Sequence, residues 1–329
     1  MKHISILVPK GDVALSCIEG SFTLFNKVND FLIGMGKPPL FKVQLVGLSR
    51  EAEVYHKFFK VYPDLVAAEG HKTDLIIIPA INGEMNNVID ANKDFIPWIV
   101  RQHAGGAELA SLCVGAFLLA ATGLLSGKKC ATHWIAANEF MKMFPDVILV
   151  SEKIITDEKG IYSSGGANSF YNLLLYIIEK YAGREMAVLC AKVYEIEIER
   201  ESQSAFIIFN GQKGHDDDTI RKAQEYIESN YQEKITVDQL ASMLSLSRRN
   251  LERRFKKATS NTTAEYMQRV KIEAAKINLE SSRENVNEVM FKVGYTDTKA
   301  FRNTFKRFTG LSPVQYRNKY NREIAVPLF

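Results

Sequence analysis

Leu240-Ala241, Ser245-Leu246-Ser247 and Leu251-Glu252-Arg253-Arg254-Phe255-Lys256-Lys257 are matched further along the chain by Val289-Met290, Gly294-Tyr295-Thr296-Asp297 and Phe301-Arg302-Asn303-Thr304-Phe305-Lys306-Arg307. Ala241 and Met290 are 49 positions apart and Leu251 and Phe301 are 50, so the later copy carries one extra residue in its turn. Each copy reads as two short helices joined by a tight turn, because apolar residues four apart share one helical face. Thr236 with Gln239 three residues on predicts a capping box for a helix over 237–243, and Ser247 is the expected cap of the next helix. Gly294 stands where the turn favours a positive backbone angle.

In the first copy Leu251 and Phe255 take the inner face, which leaves Arg249, Glu252 and Arg253 projecting outward. In the second, Val289, Met290, Val293, Phe301, Phe305 and Phe308 are the expected core, and Thr298, Lys299, Arg302 and Asn303 project. Lys256-Lys257 and Lys306-Arg307 end both helices in cationic pairs, suited to phosphate and to the negative end of the helix dipole. A helix presented in this way fits the recognition helix of a helix-turn-helix, with double-stranded DNA as the partner. Between the copies, 264–281 reads as a helix with Met267, Val270, Ala274 and Ile277 on one apolar stripe. Its eighteen residues would span about 27 Å, a strut able to hold two recognition helices roughly one DNA turn (about 34 Å) apart.

The rest of the chain fits this reading. A length of 329 residues implies two or three domains, and 46% hydrophobic with 24% charged residues is ordinary for a soluble globular chain. The net charge of +4 is uneven: residues 216–329 hold 21 Lys+Arg against 15 Asp+Glu, and residues 1–215 hold 21 against 23. The basic excess lies with the repeat, as a phosphate-binding part requires. Cys17, Cys113, Cys130 and Cys190 are widely spaced with no CxxC pair, which argues against zinc and against a disulfide framework. No metal and no cofactor is expected. The apolar run after Met1 is too short for a signal sequence and no stretch is long enough to span a bilayer, so a cytoplasmic protein without a membrane partner is expected.

The first 209 residues alternate strand and helix: strands at 4–8, 41–48 and 74–79, helices at 17–32 and 95–103. That is the pattern of an α/β domain, a parallel sheet sandwiched by helices, with ligands expected at the carboxyl ends of the strands. In Glu108-Leu109-Ala110-Ser111-Leu112-Cys113-Val114-Gly115-Ala116, a strand ends at Cys113 and a helix begins at once, the layout of a nucleophile elbow. A helix N-terminus there would lower the thiol pKa. His133 follows twenty residues later, and Glu19, in an apolar stretch, is a further candidate for the pocket. Helices over 172–184 and 186–199 close the domain, with Leu173, Leu174, Ile177, Ile178 and Tyr181 as core or dimer face. Residues 210–218 read as a flexible linker with Asp218 or Thr219 capping the next helix; His215 beside its acidic triplet is assigned no metal. The second domain is placed at 219–322, opening with a helix over 220–231, and 323–329 is left as a tail.

Two resemblances follow. Ser111-Leu112-Cys113-Val114-Gly115-Ala116-Phe117, Gly123-Leu124-Leu125-Ser126-Gly127 and Ala131-Thr132-His133-Trp134 resemble the DJ-1/PfpI group of the class I glutamine amidotransferase-like superfamily. Ser163-Ser164-Gly165-Gly166 and the segment 200–206 are similar to the closing segments of that domain when it is fused to a DNA-binding module. The resemblance implies a flavodoxin-like sheet. It departs from the catalytic members: no His-x-Glu occurs, Val114 follows the cysteine where the PfpI proteases have His, and Gly20-Ser21 and Asn172 replace a Gly-Pro pair and a late Asp. The doubled motif, with Gly294-Tyr295, Phe305-Lys306, Gly310-Leu311-Ser312-Pro313 and Tyr316-Arg317, resembles the AraC/XylS transcription regulators, with Thr263 where that family often has Pro and Asn303 where it often has Arg.

The resemblance implies a sequence-specific transcriptional regulator. Arg249, Glu252 and Arg253 would enter one major groove, and Lys299, Arg302 and Asn303 the next, with Lys256, Lys257, Thr298, Lys306 and Arg307 in support. It also implies a homodimer, RNA polymerase as a further partner, and a small-molecule effector in a non-catalytic pocket at Glu19, Cys113, Val114 and His133. The competing expectations are a cysteine amidase or hydrolase tethered to DNA, with Cys113 and His133 as catalytic candidates, and a thiol redox sensor.

Overall fold

Strand β1 (Lys2–Val8) lies inside a seven-stranded sheet, and Ile4, Ile6, Leu7 and Val8 are all buried, as a strand with both faces covered requires. The structure, a computed structural model, describes residues 1–54, 56–198 and 202–321. The tail expected at 323–329, residue 322, and Arg200 and Glu201 of the closing segment lie outside these. The chain divides into two compact units, Met1–Gln203 and a second that begins at Ser204.

In the first unit β2 (Phe41–Gly47), β3 (Leu65–Val66), β4 (Leu75–Ile78), β5 (Glu108–Leu112), β6 (Ile155–Asp157) and β7 (Ile161–Ser164) complete the sheet, in the order β6-β7-β5-β4-β1-β2-β3. Every pairing is parallel except that of β6 with β7. Helices α1 (Leu15–Gly34), α6 (Phe170–Ala182) and α7 (Arg184–Val193) pack together, while α2 (Met85–Ala91) and α3 (Phe95–Ala104) pack with α4 (Ala116–Ala121); α5 (Ala137–Met143) lies beyond α4 in sequence. The α/β sandwich read from the sequence is the fold. Leu173, Leu174, Ile177 and Ile178 are core. The last helix is shorter than expected: the Tyr194 amide donates to Cys190 O and Glu195, at φ +53°, turns the chain out of α7 at Val193.

Among the described residues the second unit has helices and no strand: α8 (Asp218–Ser229), α9 (Val237–Met243), α10 (Arg248–Thr259), α11 (Thr263–Ser281), α12 (Val286–Lys292), α13 (Thr298–Thr309) and α14 (Pro313–Tyr320). It holds two apolar cores that match position by position. Ile220, Ala223 and Ile227 of the first answer to Ile272, Ala275 and Leu279 of the second; Leu240 and Ala241 to Val289 and Met290; Leu251, Phe255 and Tyr266 to Phe301, Phe305 and Tyr316. Helix α11 serves both: Tyr266 and Met267 close the first core, and its second half opens the other. That double duty corrects the single stripe expected on this helix. Val270 and Ala274 are only partly buried and Ile277 is 57% exposed, because the helix feeds cores on different sides.

Two further differences concern the entry to this unit. Asp217, rather than Asp218 or Thr219, caps α8, its Oδ1 accepting from the Ile220 amide at 3.2 Å. The stretch expected as a flexible linker is hydrogen-bonded along its length: Gln212 O accepts from Gln224 Nε2 at 3.0 Å, His215 Nε2 meets Gln224 Oε1 at 2.9 Å, and Asp217 accepts twice from Arg254, at 2.8 and 2.5 Å. The partners on α8 and α10 that hold it leave no trace in local composition.

Candidate nucleic-acid interface and cysteine pocket

Both helix-turn-helix motifs are built with the same local devices. Thr236 and Gln239 form the capping box of α9, and Asn285 with Glu288 forms that of α12. The turns adopt the left-handed conformation at Ser245 (φ +54°) and Gly294 (φ +75°), and the next amides close on Ala241 O at 2.9 Å and Met290 O at 3.0 Å. Ser247 caps α10 and Asp297 caps α13. The offset between copies changes from 49 to 50 between Tyr295 and Asp297, which makes Thr296 the extra residue.

Inside each recognition helix Leu251, Phe255 and Thr259, or Phe301, Phe305 and Thr309, are buried. Arg249, Arg253, Lys256 and Lys257 on α10 are exposed, as are Thr298, Lys299, Arg302, Asn303, Lys306 and Arg307 on α13. Several are already engaged. Arg253 Nη2 donates to Asn250 Oδ1 at 3.1 Å, and Arg307 Nη2 donates to Gln268 Oε1 at 2.6 Å with its guanidinium 4.5 Å from the Phe308 ring centre. Glu252 is half-buried, and its Oε2 accepts from both the amide and the hydroxyl of Thr263 at 3.3 Å, so it faces the start of α11 rather than open solvent. Arg302, fifty residues on, is exposed. The sequence reading missed the tyrosine struts: Tyr266 donates to Glu228 at 2.6 Å and Tyr316 to Glu280 at 2.5 Å, each edge-on to a recognition-helix phenylalanine, Phe255 or Phe305. Their fifty-residue spacing was the available signal.

In the first unit β5 delivers Cys113 to a single helical turn (Cys113–Gly115) ahead of α4, with φ +56°, the strained geometry of an elbow. Gly115 is required there, since a Cβ would stand 2.5 Å from Ile78 O. The Cys113 amide donates to Ser164 Oγ at 3.3 Å and its carbonyl accepts from Thr132 Oγ1 at 3.0 Å. The expected lowering of the thiol pKa is overturned. Cys113 is only 7% exposed, and burial pushes the thiol up to about 12. No hydrogen bond joins it to His133 among the described residues; His133 Nδ1 instead accepts from the Ile135 amide at 3.2 Å, and burial lowers its pKa. Glu19 is exposed on α1 and accepts from Thr23 at 2.6 Å, and Val114 is half-buried. A cavity of about 460 Å³ opens beyond the carboxyl ends of β1 and β2, lined by residues that include Val8, Asp12, Leu48 and His56 and none of the four expected pocket residues. Asp12 Oδ1 is buried there with no hydrogen-bond partner among the described residues.

The comparisons agree with both halves. Residues 240–319 match a family model described as a helix-turn-helix domain, and residues 40–180 match the DJ-1/PfpI family. The HTH-type transcriptional regulator GbdR of Pseudomonas aeruginosa is 24% identical over 255 residues, covering 77% of this chain and 68% of that protein. The HTH-type transcriptional regulator ArgR of the same species is 26% identical over 215 residues, 65% of each chain. A crystal structure of a putative transcriptional regulator protein from Vibrio parahaemolyticus shares the fold with a TM-score of 0.52 at 23% identity, covering 58% of this chain and 98% of that one. With a helix-turn-helix domain matched behind a DJ-1/PfpI domain, the chain is similar to GbdR and ArgR across both parts and is a DNA-binding transcriptional regulator.

Proposed function

We propose that the chain binds a bipartite DNA site through α10 and α13 and that its first unit is a non-catalytic sensor of a small-molecule effector. The observation that carries the DNA contacts is the pair of matched cores, each presenting an exposed, mostly basic helix face. Arg249 and Arg253 contact bases in one groove; Lys299, Arg302 and Asn303 do so in the next, where Arg and Lys favour guanine and Asn favours adenine. Lys256, Lys257, Thr298, Lys306 and Arg307 hold the backbone, and Glu252 acts by ordering the start of α11. Contact with the effector is assigned to the carboxyl ends of the strands, from the cavity at Asp12 towards Cys113, Val114 and His133. The buried thiol of Cys113, with no hydrogen bond to His133 among the described residues, supports sensing over catalysis. Homodimerisation, contact with RNA polymerase and a cytoplasmic setting accompany this reading, and no helix among the described residues is long and apolar enough to cross a membrane. The sensor ends and the DNA-binding part begins near Ser204.

The test is binding of the full chain to duplexes selected from a random library. Arg253→Ala and Arg302→Ala each weaken the selected site by about 1 to 3 kcal/mol and relax preference in one half only. Unchanged affinity in both variants removes the assigned base contacts.

A further inference from the structure

The turns of the two motifs share a backbone conformation but not a residue. Ser245 holds φ +54° in the first and Gly294 holds φ +75° in the second, so the angle alone does not demand glycine. The surroundings of Gly294 do. A Cβ built there would collide with the backbone carbonyl of Gln232 and stand 2.6 Å from Lys271 Nζ. Gln232 and Glu233 belong to the loop between α8 and α9, the entry to the first motif, so the turn of the second motif lies directly against the first.

Lys271, midway along α11, joins the two. Its Nζ donates to Glu233 O at 3.2 Å and to Gly294 O at 3.2 Å, and it stands 5.7 Å from the centre of the Tyr295 ring. The side chain is half-buried, and burial holds its pKa below the ordinary lysine value. The two apolar cores share no residue; α11 runs through both, and Tyr231 of the loop after α8 packs on the second, contacts that are apolar and carry no direction of their own. A cation bonded to one carbonyl from each motif supplies a directional one.

We propose that Lys271 and Gly294 form a latch that fixes the angle between the two helix-turn-helix motifs and thereby sets the spacing of the two half-sites one chain can read. It rests on the reading that α10 and α13 both enter DNA. One added base pair moves the second half-site by about 3.4 Å and about 35° around the axis. A latched pair cannot follow such a shift, and an unlatched pair can.

The experiment uses the full chain and the sequence enriched from a random duplex library, rebuilt with one or two base pairs added or removed between its halves. Wild-type affinity is expected to fall by about tenfold or more for each change of spacing, the cost of losing a half-site's contacts. Lys271→Met, which keeps the stem and donates no hydrogen bond, binds the best spacing about tenfold more weakly and varies less than about threefold across the series. Lys271→Arg, still able to donate to both carbonyls, keeps the wild-type profile. Gly294→Ala follows Lys271→Met, scored when its circular dichroism matches wild type. A wild-type spacing profile in folded Lys271→Met overturns the latch, and so does an equal loss at every spacing, which marks a phosphate contact. A library that enriches a single half-site overturns the two-helix reading itself.

Discussion

Cys113 shows how little a motif says about reactivity until its surroundings are known. The strand, the elbow and Gly115 were legible because they are local and steric, and Gly115 is where a side chain would strike Ile78 O. The pKa was not legible, because it depends on what the fold places around the thiol, and burial leaves it at about 12. At pH 8 about one thiol in ten thousand would then be ionised, against roughly a quarter for an ordinary cysteine. Labelling of the Cys113 peptide by iodoacetamide, followed by mass spectrometry, should therefore run at least about 100-fold slower in the folded chain than in urea and rise about tenfold per pH unit up to pH 10. Labelling at the rate of a free thiol at pH 8 would restore the catalytic and redox readings. Glu252 carries the same lesson. Helical spacing put it on the outward face, yet Thr263 draws it towards α11, a contact between residues eleven apart that no helical periodicity encodes.

At the scale of elements, the doubled motif was legible because its signals repeat: caps, turn and buried phenylalanines recur at 49 or 50 residues. The role of α11 was not. A search for one stripe cannot find a helix whose two halves belong to different cores, and Ile277 was drawn into the wrong set for that reason. The copies continue past the recognition helices: α10 ends at Ser260 (φ +59°) and α13 at Gly310 (φ +74°), each preceded by a buried threonine bonded to the phenylalanine carbonyl four residues back. A non-glycine residue in that left-handed cap carries a steric cost that glycine does not. Ser260→Gly should stabilise the second unit by about 0.5 to 1 kcal/mol, seen as a higher urea midpoint with an unchanged slope. A lower midpoint would mean that the entropy glycine adds to the unfolded chain outweighs the relief at the cap.

For the whole molecule, the uneven charge and the unequal copies have one joint consequence. The second unit holds the basic excess, and its exposed cations are of two kinds: Arg253 and Arg302 on the outer faces of the helices, and Lys256 and Lys306 towards their last turns. Residues that meet bases and residues that meet phosphate should separate under salt. Each phosphate contact releases counterions and contributes about −0.9 to the slope of log K against log salt, whatever the sequence. Lys256→Ala and Lys306→Ala should each make that slope shallower by about 1 and weaken selected and random duplexes alike. Arg253→Ala and Arg302→Ala should instead narrow the gap between selected and random DNA, each through its own half of the site. Because α10 offers Arg249 and Arg253 where α13 offers Lys299 and Asn303, the two halves should differ in sequence, and inverting one half alone should cost affinity. Fluorescence anisotropy of the four variants between 50 and 200 mM salt separates these classes. If Lys256→Ala changed base preference, or Arg302→Ala changed only the salt slope, the division between backbone and base contacts would have to be redrawn with α13 turned in its groove.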